Sequence, residues 1–287
     1  FVDGPDKTPL IIQKTDGGYL YGTTDLAAIR YRVTELHADR IIYTHDSRQA
    51  QHFSQVFRTA DKASWTRHGE VKLEYAPFGT MLGEDGKPFK TRSGEIVKLK
   101  ELLDEAEERA LKLVTEKNPT LPEQQRQGIA RAVGIGAVKY ADLSKDRISD
   151  YVFSWEKMLS FDGNTAPYLQ NAYVRVHGIF RKAKASGLDI NVNHRAIRLE
   201  SPFELAIAKQ ILRLGEVIEL VSRELKPHFL TTYLYELATK YHAFFENCPV
   251  LQSEEPTRSS RLALSDLTAR TMALGLDLLG IEHPEQM

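Results

Sequence analysis

The spacing of apolar residues changes character along this chain, and the change falls near residue 96. Before it, short apolar runs alternate with helical stretches. Residues 19–23 read as a strand after the turn signal Asp16-Gly17-Gly18. Thr23 or Thr24 can then cap a helix reaching about Leu36, because Leu26, Ile29, Val33 and Leu36 recur three or four apart. Residues 40–44, with Ile41, Ile42 and Tyr43, read as a second strand. Ser47 opens a helix carrying Phe53, Val56 and Phe57, and residues 71–75 read as a third strand. This β-α-β-α-β order predicts a parallel sheet with crossover helices. Sites in such sheets lie at the carboxyl ends of the strands.

Residues 78–94 read as a long polar loop, with glycines at 79, 83, 86 and 94 that leave no room for a core element. Long loops of this kind are commonly functional. Beyond Ile96 strand signals nearly vanish. Helices are predicted over 97–116, over 123–143 after Pro122, and over 167–185 after the Asp162-Gly163-Asn164 turn. Others follow over 203–225, 231–245 and 260–279, the last ending at Gly280 as a C-terminal cap. In the fourth of these, Ile207, Ile211, Leu214, Ile218 and Val221 form one apolar stripe. The expectation is an α/β part over 1–115 followed by an all-α helical bundle over 116–287.

Composition narrows this picture. A chain of 287 residues is long enough for about two domains. Its 38 basic and 39 acidic residues nearly cancel, so any nucleic-acid surface must be a local basic patch. The single Cys248 excludes an internal disulfide framework and a multi-cysteine zinc site. Among apolar neighbours it reads as a small buried hydrophobe, in a reducing, cytoplasmic setting. There is no apolar run of about 18 residues for a membrane span, and the first twenty residues lack the apolar stretch of a signal peptide. Phe1 in place of Met suggests a piece of a longer chain.

Three stretches offer chemistry. Tyr21 and Asp25 lie four apart where a strand hands over to a helix; Asp25 can simply favour the positive end of the helix dipole, or it can bind a cation. Asp46-Ser47-Arg48-Gln49 with His52 follows the second strand, and a lone histidine is more often hydrogen-bonded structure than a base. No metal spacing joins His45, His52 and His68, and no protein-bound metal is expected. In the loop, Lys87, Lys90 and Arg92 stand among glycines and the hydroxyls of Thr91 and Ser93. That composition suits a polyphosphate, and equally a solvated basic loop.

Taken together, these blocks resemble the arginyl-tRNA synthetases, members of class I. Tyr21-Gly22-Thr23-Thr24-Asp25-Leu26-Ala27-Ala28-Ile29-Arg30-Tyr31-Arg32 is similar to the signature after that family's arginine pocket, and Asp46-Ser47-Arg48-Gln49 with His52 to its next block. Phe78-Gly79-Thr80-Met81-Leu82 leading to Lys90-Thr91-Arg92-Ser93-Gly94 resembles its variant of the KMSKS loop. Gly136-Ala137-Val138-Lys139-Tyr140-Ala141-Asp142-Leu143 and Asn164-Thr165-Ala166-Pro167-Tyr168-Leu169-Gln170 resemble its later helical blocks, and Gly275-Leu276-Asp277-Leu278-Leu279-Gly280-Ile281 with the terminal Met287 resembles its C-terminus. The similarity runs over essentially the whole chain.

The resemblance implies the second half of a Rossmann-like class I catalytic domain followed by a helical anticodon-binding domain. It implies that Tyr21, Asp25 and Gln49 contact arginine. It implies that Lys87, Lys90, Thr91, Arg92 and Gly94 form the ATP-binding loop, with Lys90 and Arg92 acting in catalysis. Tyr173, Arg175, Arg261 and Met287 are candidates for tRNA contact by stacking and phosphate pairing. Arginine, ATP with Mg2+ and cognate tRNA are the implied substrates, with tRNA bound before arginine is activated and a monomeric parent protein. Two departures stand out. The KMSKS register falls on Phe89-Lys90-Thr91-Arg92-Ser93, so neither patterned lysine is a lysine, and no His-x-Gly-His motif of the first catalytic half occurs. The chain alone is therefore expected to be inactive, and the alternative reading is a non-catalytic tRNA-binding module.

Overall fold

The computed structural model describes residues 9–87, 98–192 and 196–287. It divides into two compact units, one of residues 1–80 with 148–150 and one of residues 81–147 with 151–287. The expected division at 115 and 116 falls inside the helix over Leu99–Lys117.

In the smaller unit, α1 (Tyr21–Thr34) is followed by β1 (Arg40–Asp46), a short 3-10 turn over Ser47–Gln49, α2 (Ala50–Lys62) and β2 (Lys72–Phe78). The two strands pair in parallel, with Arg40 opposite Lys72 and Asp46 opposite Phe78, and α2 is their crossover. The strand expected over 19–23 is not formed. Tyr19 makes only an isolated antiparallel bridge to Gln13, across a turn closed by the Lys14 N–H···O=C bond of Gly18. Helix begins at Tyr21 because the Leu20 carbonyl already accepts from Thr23 and Thr24. The expected threonine cap is therefore corrected to Leu20. Thr23 sends its hydroxyl to the Ile12 carbonyl, and Thr24 sends its own to the Tyr21 carbonyl. Of the expected row, Leu26, Ile29 and Val33 are buried with Ile41, Tyr43, Phe53, Val56, Ala60 and Val71 in one core, whereas Leu36 lies beyond the end of α1 and is 60% exposed.

The larger unit is helical. It contains β3 (Met81–Leu82), α3 (Leu99–Lys117), α4 (Glu123–Leu143), β4 (Tyr151–Val152), α5 (Trp155–Met158), α6 (Ala166–Ala185), α7 (Pro202–Leu212), α8 (Leu214–Glu224), α9 (His228–Asn247) and α10 (Thr257–Leu278). The loop expected over 78–94 thus holds a strand. Met81 pairs with Tyr151 and Leu82 with Val152, a ladder two residues long that carries no periodicity to read. The single helix expected over 203–225 is two. At Arg213 the hydrogen-bond ladder tightens to the carbonyl three residues back, and α8 restarts; the apolar stripe runs straight across the break and conceals it.

Two cores fill this unit. One joins Tyr140 to α6, α7, α9 and α10 and includes Leu169, Ile207, Leu234, Leu237, Phe244 and Met272. The other joins α3, α4 and α5 through Leu102, Ala106, Ala110, Val133 and Met158. Gly134 allows the closest approach. A Cβ there would lie 2.6 Å from the Ala106 carbonyl oxygen, so a side chain at 134 would push α3 from α4. Gly280, at φ +66°, ends α10 as expected, and Cys248 is 2% exposed.

Candidate functional site

The 3.6-residue repeat puts Tyr21 and Asp25 on one face of the first turns of α1. α2 brings His52 to them. His52 Nε2 lies 2.7 Å from Asp25 Oδ2, and its ring centroid is 4.9 Å from that of Tyr21. Tyr21 is 71% exposed, whereas the His52 side chain retains 15% of its surface and that of Asp25 31%. The imidazole is braced from behind by Phe53, edge-on at 5.1 Å, itself 2% exposed and stacked on Tyr75 at 5.3 Å. Gly22 leaves room beside it: a Cβ there would stand 3.0 Å from Leu10 and 3.6 Å from His52 Cε1.

Next to this cluster the core is electrostatically tuned. Burial raises the Tyr43 phenol above its ordinary range, partly offset by Arg32, which donates to its hydroxyl at 2.7 Å; the Asp25 charge adds to the rise. At the carboxyl end of β1, Asp46 accepts from the Arg48 backbone N–H at 2.9 Å and from its guanidinium at 2.7 and 2.8 Å. Those bonds hold its carboxyl down at about 2. Gln49 ends the 3-10 turn, exposed. Among the described residues no hydrogen bond joins it to Tyr21 or Asp25. The arrangement of Tyr21, Asp25 and His52 presents an aromatic face and an anchored carboxylate to solvent. A planar cation is the ligand such a pair receives best, through parallel N–H···O bonds and ring contact.

In the larger unit, Lys87 closes a tight turn after β3. Its N–H donates to Asp85 Oδ1 at 3.1 Å, and its carbonyl accepts from Gly83 at 2.8 Å. Lys90, Thr91, Arg92 and Gly94 lie outside the described residues. Among the described residues no three or more His, Cys, Asp or Glu side chains could hold a metal together.

The four residues expected on tRNA have different surroundings. Tyr173 is 7% exposed, its ring between His177 at 4.4 Å and His283 at 4.8 Å. Arg261 is held internally, donating to Glu204 Oε1 at 2.7 Å, the Pro249 carbonyl at 2.8 Å and Ser253 Oγ at 2.9 Å. Met287 packs against the core of α3, α4 and α5. Arg175 lies over Phe245 at 4.9 Å and donates to His242 Nδ1 at 3.0 Å. Beside it, Tyr168 packs on His242 at 4.7 Å and Tyr235 at 5.5 Å. Sequence reasoning did not assemble this row, because its members come from α6 and α9, more than sixty positions apart. The two dedicated signals missed by spacing, His52 on Asp25 and His242 on Arg175, are both contacts between helices.

Comparison with known proteins supplies the family. Residues 1–155 match the model for tRNA synthetases class I (R), catalytic domain, and residues 169–287 match the DALR anticodon binding domain. The arginine–tRNA ligase of Laribacter hongkongensis is 54% identical over 98% of this chain, which covers 48% of that protein. That of Cellvibrio japonicus is 55% identical over 98% of the chain, again with 48% of its own length covered. The chain spans about half the length of the curated relatives it matches. Among solved structures, arginyl-tRNA synthetase from Plasmodium falciparum superposes with a TM-score of 0.83 at 33% identity, over 99% of this chain and 48% of the other. The Thermus thermophilus arginyl-tRNA synthetase gives 0.81 at 27% identity, over 97% of this chain and 51% of the other.

Proposed function

Because this chain belongs to the class I arginyl-tRNA synthetase family, carrying part of the catalytic domain and a DALR domain, we propose that the protein it forms part of attaches arginine to its cognate tRNA. In the reaction proposed, the arginine carboxylate attacks the α-phosphate of ATP, with pyrophosphate leaving. A terminal ribose hydroxyl of the tRNA then takes the arginyl group from the adenylate. ATP enters with Mg2+ as substrate. Positioning and charge stabilisation, in place of a covalent enzyme intermediate, supply the rate.

The observation that carries the reading is the pairing of exposed Tyr21 with the His52-anchored carboxylate of Asp25 on one helix face. Asp25 takes the guanidinium, Tyr21 covers its face, and Gln49, on the turn after β1, contacts the rest of the amino acid. Lys87, Lys90, Thr91, Arg92 and Gly94 act on the ATP phosphates, with Lys90 and Arg92 the groups that meet developing charge. The helical unit takes the tRNA, with half-buried Arg175 over the exposed ring of Phe245 the cation-aromatic pair best suited to it. Tyr173, Arg261 and Met287, the other sequence candidates, are taken up in packing and internal bonds, and bear on tRNA through the helices they hold. A second reading is favoured by the match of residues 169–287 to the DALR anticodon binding domain: a non-catalytic tRNA-binding module.

Asp25→Asn in the full-length protein tests the reading. The variant keeps the shape of the side chain and removes the charge. It should weaken arginine-dependent adenylate formation by roughly one to several kcal/mol, the cost of stranding a charged partner. Unchanged steady-state use of arginine would refute the assignment.

A further inference from the structure

The contact that brings His52 onto Asp25 says more than that the two are neighbours. An ionised carboxylate only accepts hydrogen bonds, so at 2.7 Å the proton of this bond sits on His52 Nε2, and the imidazole donates to Oδ2. Among the described residues no donor reaches the other oxygen, Oδ1. The ring that donates is not free to turn. Tyr21 lies against it at 4.9 Å, Phe53 meets it edge-on at 5.1 Å, and Leu10 fills the space left by Gly22. Phe53 belongs to the buried core, in ring contact with Tyr43, His45 and Tyr75. The chain of support therefore runs from core to ring to carboxylate. The carboxylate plane of Asp25, on an exposed helix face, would otherwise rotate about its terminal torsion, which is broad and weakly restrained.

We propose that His52 is a positioning residue, which fixes the Asp25 carboxylate in the plane that a guanidinium meets edge-on and leaves Oδ1 open for it. This rests on the reading of Asp25 as the partner of arginine. Geometry of this kind acts on affinity for the amino acid and not on the chemical step, since nothing here reaches the reacting phosphate. A side chain of the same aromatic shape without the N–H should loosen the carboxylate while keeping the packing. A side chain with an N–H at similar reach should restore it.

The experiment uses the full-length protein and four forms: wild type, Asp25→Asn, His52→Phe and His52→Gln. Arginine, ATP and tRNA are varied separately in steady-state charging, and each form is checked by thermal unfolding. His52→Phe should raise the KM for arginine about ten-fold or more, leave the KM for ATP and kcat within about two-fold, and His52→Gln should recover most of the loss. If His52→Phe leaves the arginine KM unchanged while Asp25→Asn impairs it, the positioning role is wrong and the reading of Asp25 stands. If Asp25→Asn has no effect on arginine, the reading beneath it fails. If His52→Phe lowers kcat and every KM suffers together, or its unfolding temperature collapses and His52→Gln restores neither, His52 is structural and the proposal is overturned.

Discussion

In the helical unit, Glu204 and Arg261 meet beneath the surface, with Glu204 1% exposed and every oxygen of its carboxylate occupied. In the smaller unit, Tyr21 and Asp25 stand on an open helix face, one exposed and the other held through a single oxygen. The Glu204 carboxylate is satisfied by the protein's own atoms; the Asp25 carboxylate keeps hydrogen-bonding capacity facing solvent. A polar group closed on itself contributes to stability. One left half-satisfied beside a rigid core is available to a ligand, at the expense of stability. The contrast separates residues that look functional in sequence into those that hold the fold and those that can act.

Arg261→Met tests the closed side of the comparison most severely. Burial pushes the Glu204 carboxyl up, but the Arg261 bond and the backbone N–H groups of Ser201 and Glu200 outweigh it and hold it below its ordinary value. The same carboxylate completes the capping box of α7. Removing the guanidinium strands a buried charge, which costs about 3–5 kcal/mol. Urea unfolding of this 287-residue chain should show that loss. A change below about 1 kcal/mol would place Arg261 among the surface residues after all.

His242 sharpens the comparison through pH. Arg175 can only donate, so Nδ1 of His242 accepts and the proton sits on Nε2, buried and without a partner among the described residues. Burial, reinforced by the Arg175 charge, lowers this histidine from 6.5 to about 4. The folded value lies below the unfolded one. Above about pH 6.5 both states are neutral and there is no penalty; between 6.5 and 4 only the unfolded chain takes the proton, so stability falls as pH falls; below about 4 the penalty is constant. The loss attributable to this group is at most roughly 3 kcal/mol, reduced by whatever solvent screens it. His242→Gln keeps an acceptor for Arg175 and removes the titration. Its urea midpoint should decline less than wild type between pH 7 and pH 4.5. Parallel declines would show that other groups carry the acid sensitivity.

How much of this was legible beforehand follows from what spacing can record. Helices with three or more apolar repeats are legible apart from the break at Arg213, and α4 matches its expected bounds, since Pro122 and the pattern to Leu143 mark both ends. The parallel pairing of β1 and β2 was legible because each strand is an apolar run flanked by helix signals. The strand at 19–23 was misread because Tyr19, Leu20 and Tyr21 are too few to distinguish alternation from a helix start. The β3–β4 ladder was invisible because it is two residues long and its halves are about seventy positions apart. For the site, Tyr21 and Asp25 were legible as a pair within one helix. The bond that organises Asp25 was not, because it depends on α2 packing across α1, and sequence separation carries no record of that.

The smallest effect in this set concerns how two helices begin, α6 in the larger unit and α1 in the smaller. Thr165 caps α6: its hydroxyl accepts from the Tyr168 N–H at 3.3 Å and donates to the Ser160 carbonyl at 2.7 Å, in a residue 9% exposed. α1 has no such cap, since Leu20 holds the position and offers no side-chain acceptor. The N-terminal N–H groups of α6 are thus partly answered from within, whereas those of α1 depend on backbone and solvent. Thr165→Val keeps the shape and removes both bonds. A cap is worth about 1 kcal/mol, which in a unit of this size lowers the unfolding temperature by about 2–4 °C. The helical unit should lose that much, while Leu20→Val, in the uncapped position, should change the smaller unit's hydrogen exchange at α1 little. If Thr165→Val is neutral, the long 3.3 Å bond contributes nothing and the contrast does not extend to the starts of α6 and α1. If it costs more than about 2 kcal/mol, the Ser160 bond carries most of the effect, and Ser160 and Thr165 together brace the turn ahead of α6.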